Sequence, residues 1–232
     1  MPNSQKVNPP TNLTFGPVPS RRFGVSLGID LSPDIKQCNF DCLYCELKAA
    51  KTVDKMTKFP TVEELVNAVK EKILHTHTKI DVLTITANGE PTLYPLLKEL
   101  VIELNKIKNN SKLLILSNGS TIYNHEIQEA LQDIDIVKLS LDCVSKECFT
   151  KLDRSDKSIQ INKIVSGMVD FRSKFKNQLI IEILFVDTLN NKESEIALLR
   201  DALSKIKPNR VDIGTIDRPP AYKVNPVSYE EL

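Results

Sequence analysis

Three thiols stand close together in one stretch, Cys38-Asn39-Phe40-Asp41-Cys42-Leu43-Tyr44-Cys45, spaced four and then three residues apart. Thiolates select zinc, copper(I) or iron–sulfur clusters. A structural zinc site closes tetrahedrally on four ligands, so this loop would have to borrow one. His75 and His77 offer imidazoles, but the end of a helical pattern suits them better as a solvated terminus beside the helix dipole. Cys143 and Cys148 offer thiols, yet a lone cysteine at a strand end is more often a small buried hydrophobe. The other solution is a cubane held by three cysteines, which leaves one iron open to substrate or cofactor. Five cysteines, an odd number, in a chain with no visible export signal speak against a disulfide framework and for metal binding or catalysis. Cys143 and Cys148 alone are too few for a second all-cysteine cubane.

The elements that must position this loop are legible from periodicity. Val25, Leu27, Ile29 and Leu31 alternate with polar or small residues, the period of a strand, directly before the cysteines. Thr61 with Glu64 three residues on forms a capping box ahead of Leu65, Val66, Val69 and Ile73, the apolar face of a helix. Strands over 80–86, 113–116, 136–141, 179–186 and 211–216 then alternate with helical patterns. Near-continuous apolar strands suit a parallel sheet buried on both faces. The expected fold is therefore α/β, a partial (β/α)6 barrel of parallel strands with the cysteine loop after the first strand. A flat doubly wound sheet satisfies the same periodicity.

Residues 1–24, rich in Pro, Asn and Ser, read as an irregular N-terminal arm. Residues 25–220 read as one core domain, and 221–232 as the start of a C-terminal segment that resembles a helix cut off after its cap, Ser228. In parallel α/β architecture the site lies at the carboxyl ends of the strands. There the chain places Asn88-Gly89-Glu90-Pro91, Ser117-Asn118-Gly119, Ser140 with Asp142, and Asp217-Arg218.

A CX3CX2C loop after the first strand, with aromatic Tyr44 before the third cysteine, resembles the radical S-adenosylmethionine (radical SAM) superfamily. Asn88-Gly89-Glu90-Pro91 at the end of the next strand is similar to that family's Gly-Gly-Glu-Pro element, with Asn88 in place of the first glycine. Asn is the non-glycine residue that best tolerates left-handed backbone, so the turn should survive the exchange. Gly16-Pro17-Val18-Pro19-Ser20-Arg21-Arg22 and Asp217-Arg218-Pro219-Pro220 further resemble Fe–S oxidoreductases related to wyosine synthases. The resemblance implies a [4Fe–4S] cluster on Cys38, Cys42 and Cys45, with S-adenosylmethionine on the open iron. It implies cofactor contacts from Tyr44, Asn88, Gly89, Glu90, Pro91, Asn118, Ser140 and Asp142. It also implies a one-electron reductant of flavodoxin or ferredoxin type, and a 5′-deoxyadenosyl radical that abstracts hydrogen from a small molecule or an RNA base.

Arg218, pinned by two prolines, is the expected substrate contact, since a planar guanidinium suits carboxylate or phosphate; Arg21 and Arg22 are further cationic candidates. No residue is assigned as catalytic. The 232 residues carry 31 Lys and Arg against 30 Asp and Glu, a net charge of +1, which lacks the basic field of an obligate DNA binder. No apolar run approaches the roughly 18 residues of a membrane span. The expected location is the cytoplasm. The alternative from another class is a non-catalytic zinc or iron–sulfur binding module.

Overall fold

A computed structural model describes residues 13–228 and Glu230. Seven strands form one sheet in sequential order: β1 (Thr14–Ser20), β2 (Gly24–Asp30), β3 (Val82–Thr86), β4 (Lys112–Ser117), β5 (Ile136–Ser140), β6 (Gln178–Phe185) and β7 (Arg210–Thr215). From β2 to β7 every pairing is parallel. A sequential order never reverses, so there is no switch point of the kind a doubly wound sheet requires. The partial barrel is the observed architecture.

The helices lie between the parallel strands: α1 (Val62–Leu74), α2 (Leu97–Ile107), α3 (His125–Leu131), α4 (Lys146–Leu152), α5 (Ile161–Lys174) and α6 (Glu193–Ile206). Thr61 caps α1 through the expected capping box with Glu64. The main core, including Leu65, Val69, Leu83, Ile85, Leu100, Val137, Ile181 and Phe171, joins the helices to one face of the sheet. On the opposite face only Val82, Leu114, Ile136 and Ile180 cluster, with Phe23 against them. This asymmetry is that of a curled sheet with helices outside and an open concave face inside.

One expectation is corrected here. Residues 14–20, read as part of an irregular arm, form β1, antiparallel to β2, so the cysteine loop follows the second strand and the first parallel one. Pro17 and Pro19 within this segment masked its period; an edge strand tolerates proline because one side of its ladder is free. Of the helix start expected after Ser228, residues 229, 231 and 232 lie outside the described residues.

The hairpin tip between β1 and β2 bridges the two edges of the open sheet. Arg21 Nη2 lies 2.6 Å from Asp217, and Arg22 reaches Asp212 at 3.4 Å and donates to the Ile213 carbonyl at 3.4 Å. Phe23 lies between Arg210 and Lys138, 5.0 and 5.9 Å from its ring centroid. Arg21 and Arg22 thus close the barrel's flank.

Candidate cluster and cofactor site

The cysteine loop is seated on the end of β3 by main-chain hydrogen bonds. Gln37 N donates to Asn88 O at 2.8 Å and Glu90 N donates to Gln37 O at 3.0 Å, a short parallel bridge from Gln37 to Gly89. The Gln37 side chain, buried, gathers Ser32, Thr57 and Lys58, which closes the loop's base. Gly89 has φ +144°, and a Cβ there would lie 1.8 Å from Gln37 O. Glycine is therefore required at 89, because the loop's own backbone occupies the space a side chain would need. The left-handed backbone falls on Gly89 rather than Asn88. Asn88 needs no special geometry: its N–H donates to Asp30 at 3.0 Å and its amide to Pro33 O at 3.2 Å.

Glu90 is buried, and its carboxylate accepts from Thr92 N (2.9 Å), Thr92 Oγ1 (2.7 Å), Ser117 Oγ (2.7 Å) and Asn118 N (2.7 Å). Burial raises its pKa, and those donors oppose the rise. The side chain fastens the end of β3 to the end of β4, and Pro91 starts the short 3-10 turn that follows. From β4, Asn118 Nδ2 donates to Asn39 Oδ1 at 2.9 Å and stands 3.7 Å from Cys38 Sγ. Asn39 in turn donates to Ser120 Oγ at 2.7 Å.

Tyr44 reaches the end of β5, where its hydroxyl donates to Asp142 Oδ2 at 2.5 Å. The other oxygen of Asp142 accepts from Leu184 N at 2.7 Å. Desolvation pushes the Asp142 carboxyl up to about 7, despite those two hydrogen bonds. Tyr44, Asn118, Ser140 and Asp142 line one small cavity together with Phe40 and Asp153. The expected contacts from β3, β4 and β5 therefore converge on one rim around the cysteine loop.

A segment that periodicity missed supports the loop from the side. Helix α4, capped by Ser145, offers its last carbonyls: Asp41 N donates to Asp153 O and Leu43 N to Leu152 O, at 3.2 and 2.9 Å. Phe40 packs edge-to-face on Phe149, 5.4 Å between centroids. Cys143 and Cys148, expected as separate buried thiols, form a disulfide that ties the end of β5 to α4, Cα atoms 5.5 Å apart. The compartment argument against disulfides concerns their frequency; here a tight turn brings two cysteines five residues apart into contact range.

That pairing leaves Cys38, Cys42 and Cys45 as free thiols. Burial lifts Cys38 to about 12 and Cys42 well above its usual range, and a cation bound between them would favour their thiolate forms. Four ligands around one zinc ion at 2.3 Å would bring sulfurs within about 4 Å of each other. Among the described residues, the group whose ligand atoms gather within 4.8 Å is Cys143, Cys148 and Glu195, and the loop's thiols do not gather so. His75 is no nearby ligand: it caps α1, with Nδ1 2.7 Å from Glu71 O. Arg218 extends its guanidinium to both carboxylate oxygens of Glu46, each at 2.8 Å.

Gln37, Asp41 and Asp153 were not singled out from sequence. Their only signal is a polar residue beside a cysteine or at a helix end, and it does not stand out from ordinary loop polarity.

The family model described as Radical SAM superfamily matches residues 33–199. A "UPF0026 protein" of Helicobacter pylori is 46% identical over 227 residues, which is 98% of this chain and 73% of that protein. Among solved structures, TYW1 with a lysine-pyruvate adduct bound has a TM-score of 0.64 at 16% identity, covering 89% of this chain and 70% of that one. TsrM from Kitasatospora setae, a radical S-adenosylmethionine methyltransferase with cobalamin and a [4Fe–4S] cluster bound, has a TM-score of 0.57 at 14% identity. That match covers 84% of this chain and 35% of the other. At such identities the structural matches establish a shared fold.

Proposed function

This chain belongs to the radical SAM superfamily, and from that premise we propose that it cleaves S-adenosylmethionine reductively at a [4Fe–4S] cluster held by Cys38, Cys42 and Cys45. The observation that carries the reading is the set of three free, half-buried thiols on one loop whose base is hydrogen-bonded to the turn after β3 and whose Cys38 Sγ lies 3.7 Å from Asn118 at the end of β4. Cys38, Cys42 and Cys45 would hold the cluster, which when bound would supply the one-electron reduction of S-adenosylmethionine that initiates hydrogen abstraction from substrate.

The chain's own residues bind and orient. The Asn88–Pro91 turn is assigned to the cofactor's ammonium, for which its backbone carbonyls, each with a second lone pair, would be the acceptors, while the Glu90 carboxylate already accepts from four protein donors. Asn118 and Ser140 face the same cavity and are the contacts for ribose or methionine. Asp142 would act through Tyr44, which it holds by the hydroxyl and whose backbone would meet the adenine. The packed surroundings of Phe40, Phe149 and Ile164 keep water from the reacting centre.

Arg218 is assigned to Glu46 and the loop in place of the substrate role expected of it. A small-molecule substrate is favoured over an RNA base, since a net charge of +1 provides no extended phosphate-binding field. The electron donor is a flavodoxin- or ferredoxin-type protein, which fits a reducing cytoplasm; the Cys143–Cys148 pair is buried from thiols there. Among the described residues no helix is long and apolar enough to cross a membrane.

The test is anaerobic reconstitution with iron and sulfide, followed by S-adenosylmethionine and dithionite. A brown protein that yields 5′-deoxyadenosine supports the reading. A colourless protein holding tight zinc supports the non-catalytic alternative. Comparing metabolites and tRNA nucleosides between cells with and without the gene then separates small molecule from RNA.

A further inference from the structure

After β7 the chain turns back across the outside of the cysteine loop, and its contacts there are specific. Ala221 N donates to Cys45 O at 2.9 Å. Arg218 forks onto Glu46, the residue after that cysteine. The Tyr222 hydroxyl donates to Asp41 Oδ2 at 2.5 Å, across 181 residues of sequence. Arg154 lies over the Tyr222 ring, 4.5 Å from its centroid, and 3.3 Å from the same Asp41 oxygen. Lys36 holds the other oxygen at 3.3 Å. Asp41 is buried at 7% exposure, directly before Cys42.

The far end of this segment is fastened as well. Pro226 bridges Val186, Asp187 N donates to Asn225 O at 3.0 Å, and Val227 N donates to Thr215 Oγ1 at 2.9 Å. Pro219 and Pro220 fix φ at two positions between β7 and the loop, which lowers the entropy lost in laying the segment down.

We propose that residues 217–222 form the outer wall of the cluster loop, with Tyr222 a positioning residue that acts through Asp41 to hold Cys42 and so retains the cluster. This rests on the cluster assignment above. The inner supports hold Cys38, whereas Cys42 and Cys45 depend on α4 and on this wall. Without the Tyr222 hydroxyl, a buried carboxylate loses a donor and its residue turns more freely, and the adjacent cysteine turns with it.

The test uses the full chain, reconstituted anaerobically. Iron release from the reduced protein to a ferrous chelator is timed, alongside the electron paramagnetic resonance spectrum and the thermal midpoint of the metal-free protein. Tyr222→Phe should release iron about tenfold faster, the size expected for losing one charge-assisted hydrogen bond. Its resonance lines should broaden, a change at the cluster that the accompanying fall in the metal-free midpoint would not by itself produce. Asp41→Asn combined with Tyr222→Phe should release iron no faster than Asp41→Asn alone, because both act through one contact. Release from Tyr222→Phe at the wild-type rate, or effects that multiply in the double variant, would overturn the proposal. If Asp41→Asn does not fold, the single Tyr222→Phe result decides. A wild-type protein that takes up no [4Fe–4S] cluster would overturn the proposed function instead, and that is read before any variant.

Discussion

The two sides of the cysteine loop are held by different physics. Toward the sheet, the loop is joined by backbone hydrogen bonds between Gln37 and the Asn88–Glu90 turn, and by buried amides from Asn39 to Asn118 and Ser120. Toward solvent, the contacts from the C-terminal segment include an ion pair whose side chains are 74% and 50% exposed. Buried polar groups that lose a partner have no water to replace it, whereas exposed charges do. The loop thus has a side that tolerates no change and a side on which the exposed Arg218–Glu46 pair can yield while the Tyr222 contact to buried Asp41 cannot. The cofactor turn lies on the unyielding side.

The largest effect should come from Gly89→Val. A β-branched side chain cannot occupy space 1.8 Å from Gln37 O, and φ +144° is strained for any side chain. The loop's base must then shift, so the variant should lose cluster assembly as well as cofactor affinity, measured as iron bound per chain. Full iron content with only weakened cofactor binding would show that the inner side is softer than described.

Next comes Glu90→Gln. The amide replaces one acceptor with a donor facing donors from Thr92, Ser117 or Asn118, at a cost of about 1–3 kcal/mol in unfolding free energy. Chemical denaturation of the metal-free protein measures it, and an unchanged midpoint would remove Glu90 from the inner support.

Asp142 adds a pH dependence to the same side. Its folded pKa, about 7, is raised above the ordinary 3.8. Between those values the folded protein keeps a proton that the unfolded chain has released. Its contribution is therefore fully present below about pH 4 and lost as pH rises through about 7. Asp142→Asn should flatten the fall in stability across that window, in denaturation curves of the metal-free protein. An equally steep fall in the variant would assign the dependence to other buried carboxyls.

The smallest effect is expected on the outer side. Arg218→Ala removes an exposed pair worth about 0.2–1 kcal/mol, so iron content and substrate-free cleavage of S-adenosylmethionine should stay near wild type. Loss of the cluster in this variant would erase the contrast between the two sides.

Much of this architecture is legible locally. Alternation at Val25–Leu31 marks β2, and the Thr61–Glu64 box marks the start of α1, because both depend on residues within one or two turns of each other. The spacing of Cys38, Cys42 and Cys45 carries metal chemistry for the same reason. Strand β1 was obscured by its prolines, and α4 by having only two helical turns, too few for a period to declare itself. The disulfide followed from that missed helix.

What the sequence by itself determined is the order of the parallel strands and the longer helices, the close spacing of three thiols, and the rim on which polar residues gather, since periodicity and spacing are properties of neighbours along the chain. Only the tertiary structure decided which partners those residues meet. Tyr44 finds Asp142 across 98 residues, Asp41 finds Tyr222 across 181, and Arg21 finds Asp217 across 196. Each is a single directional contact between segments that no repeating pattern relates. The curl of the sheet brings them within hydrogen-bonding distance, and that curl arises from the packing of all the helices on one face.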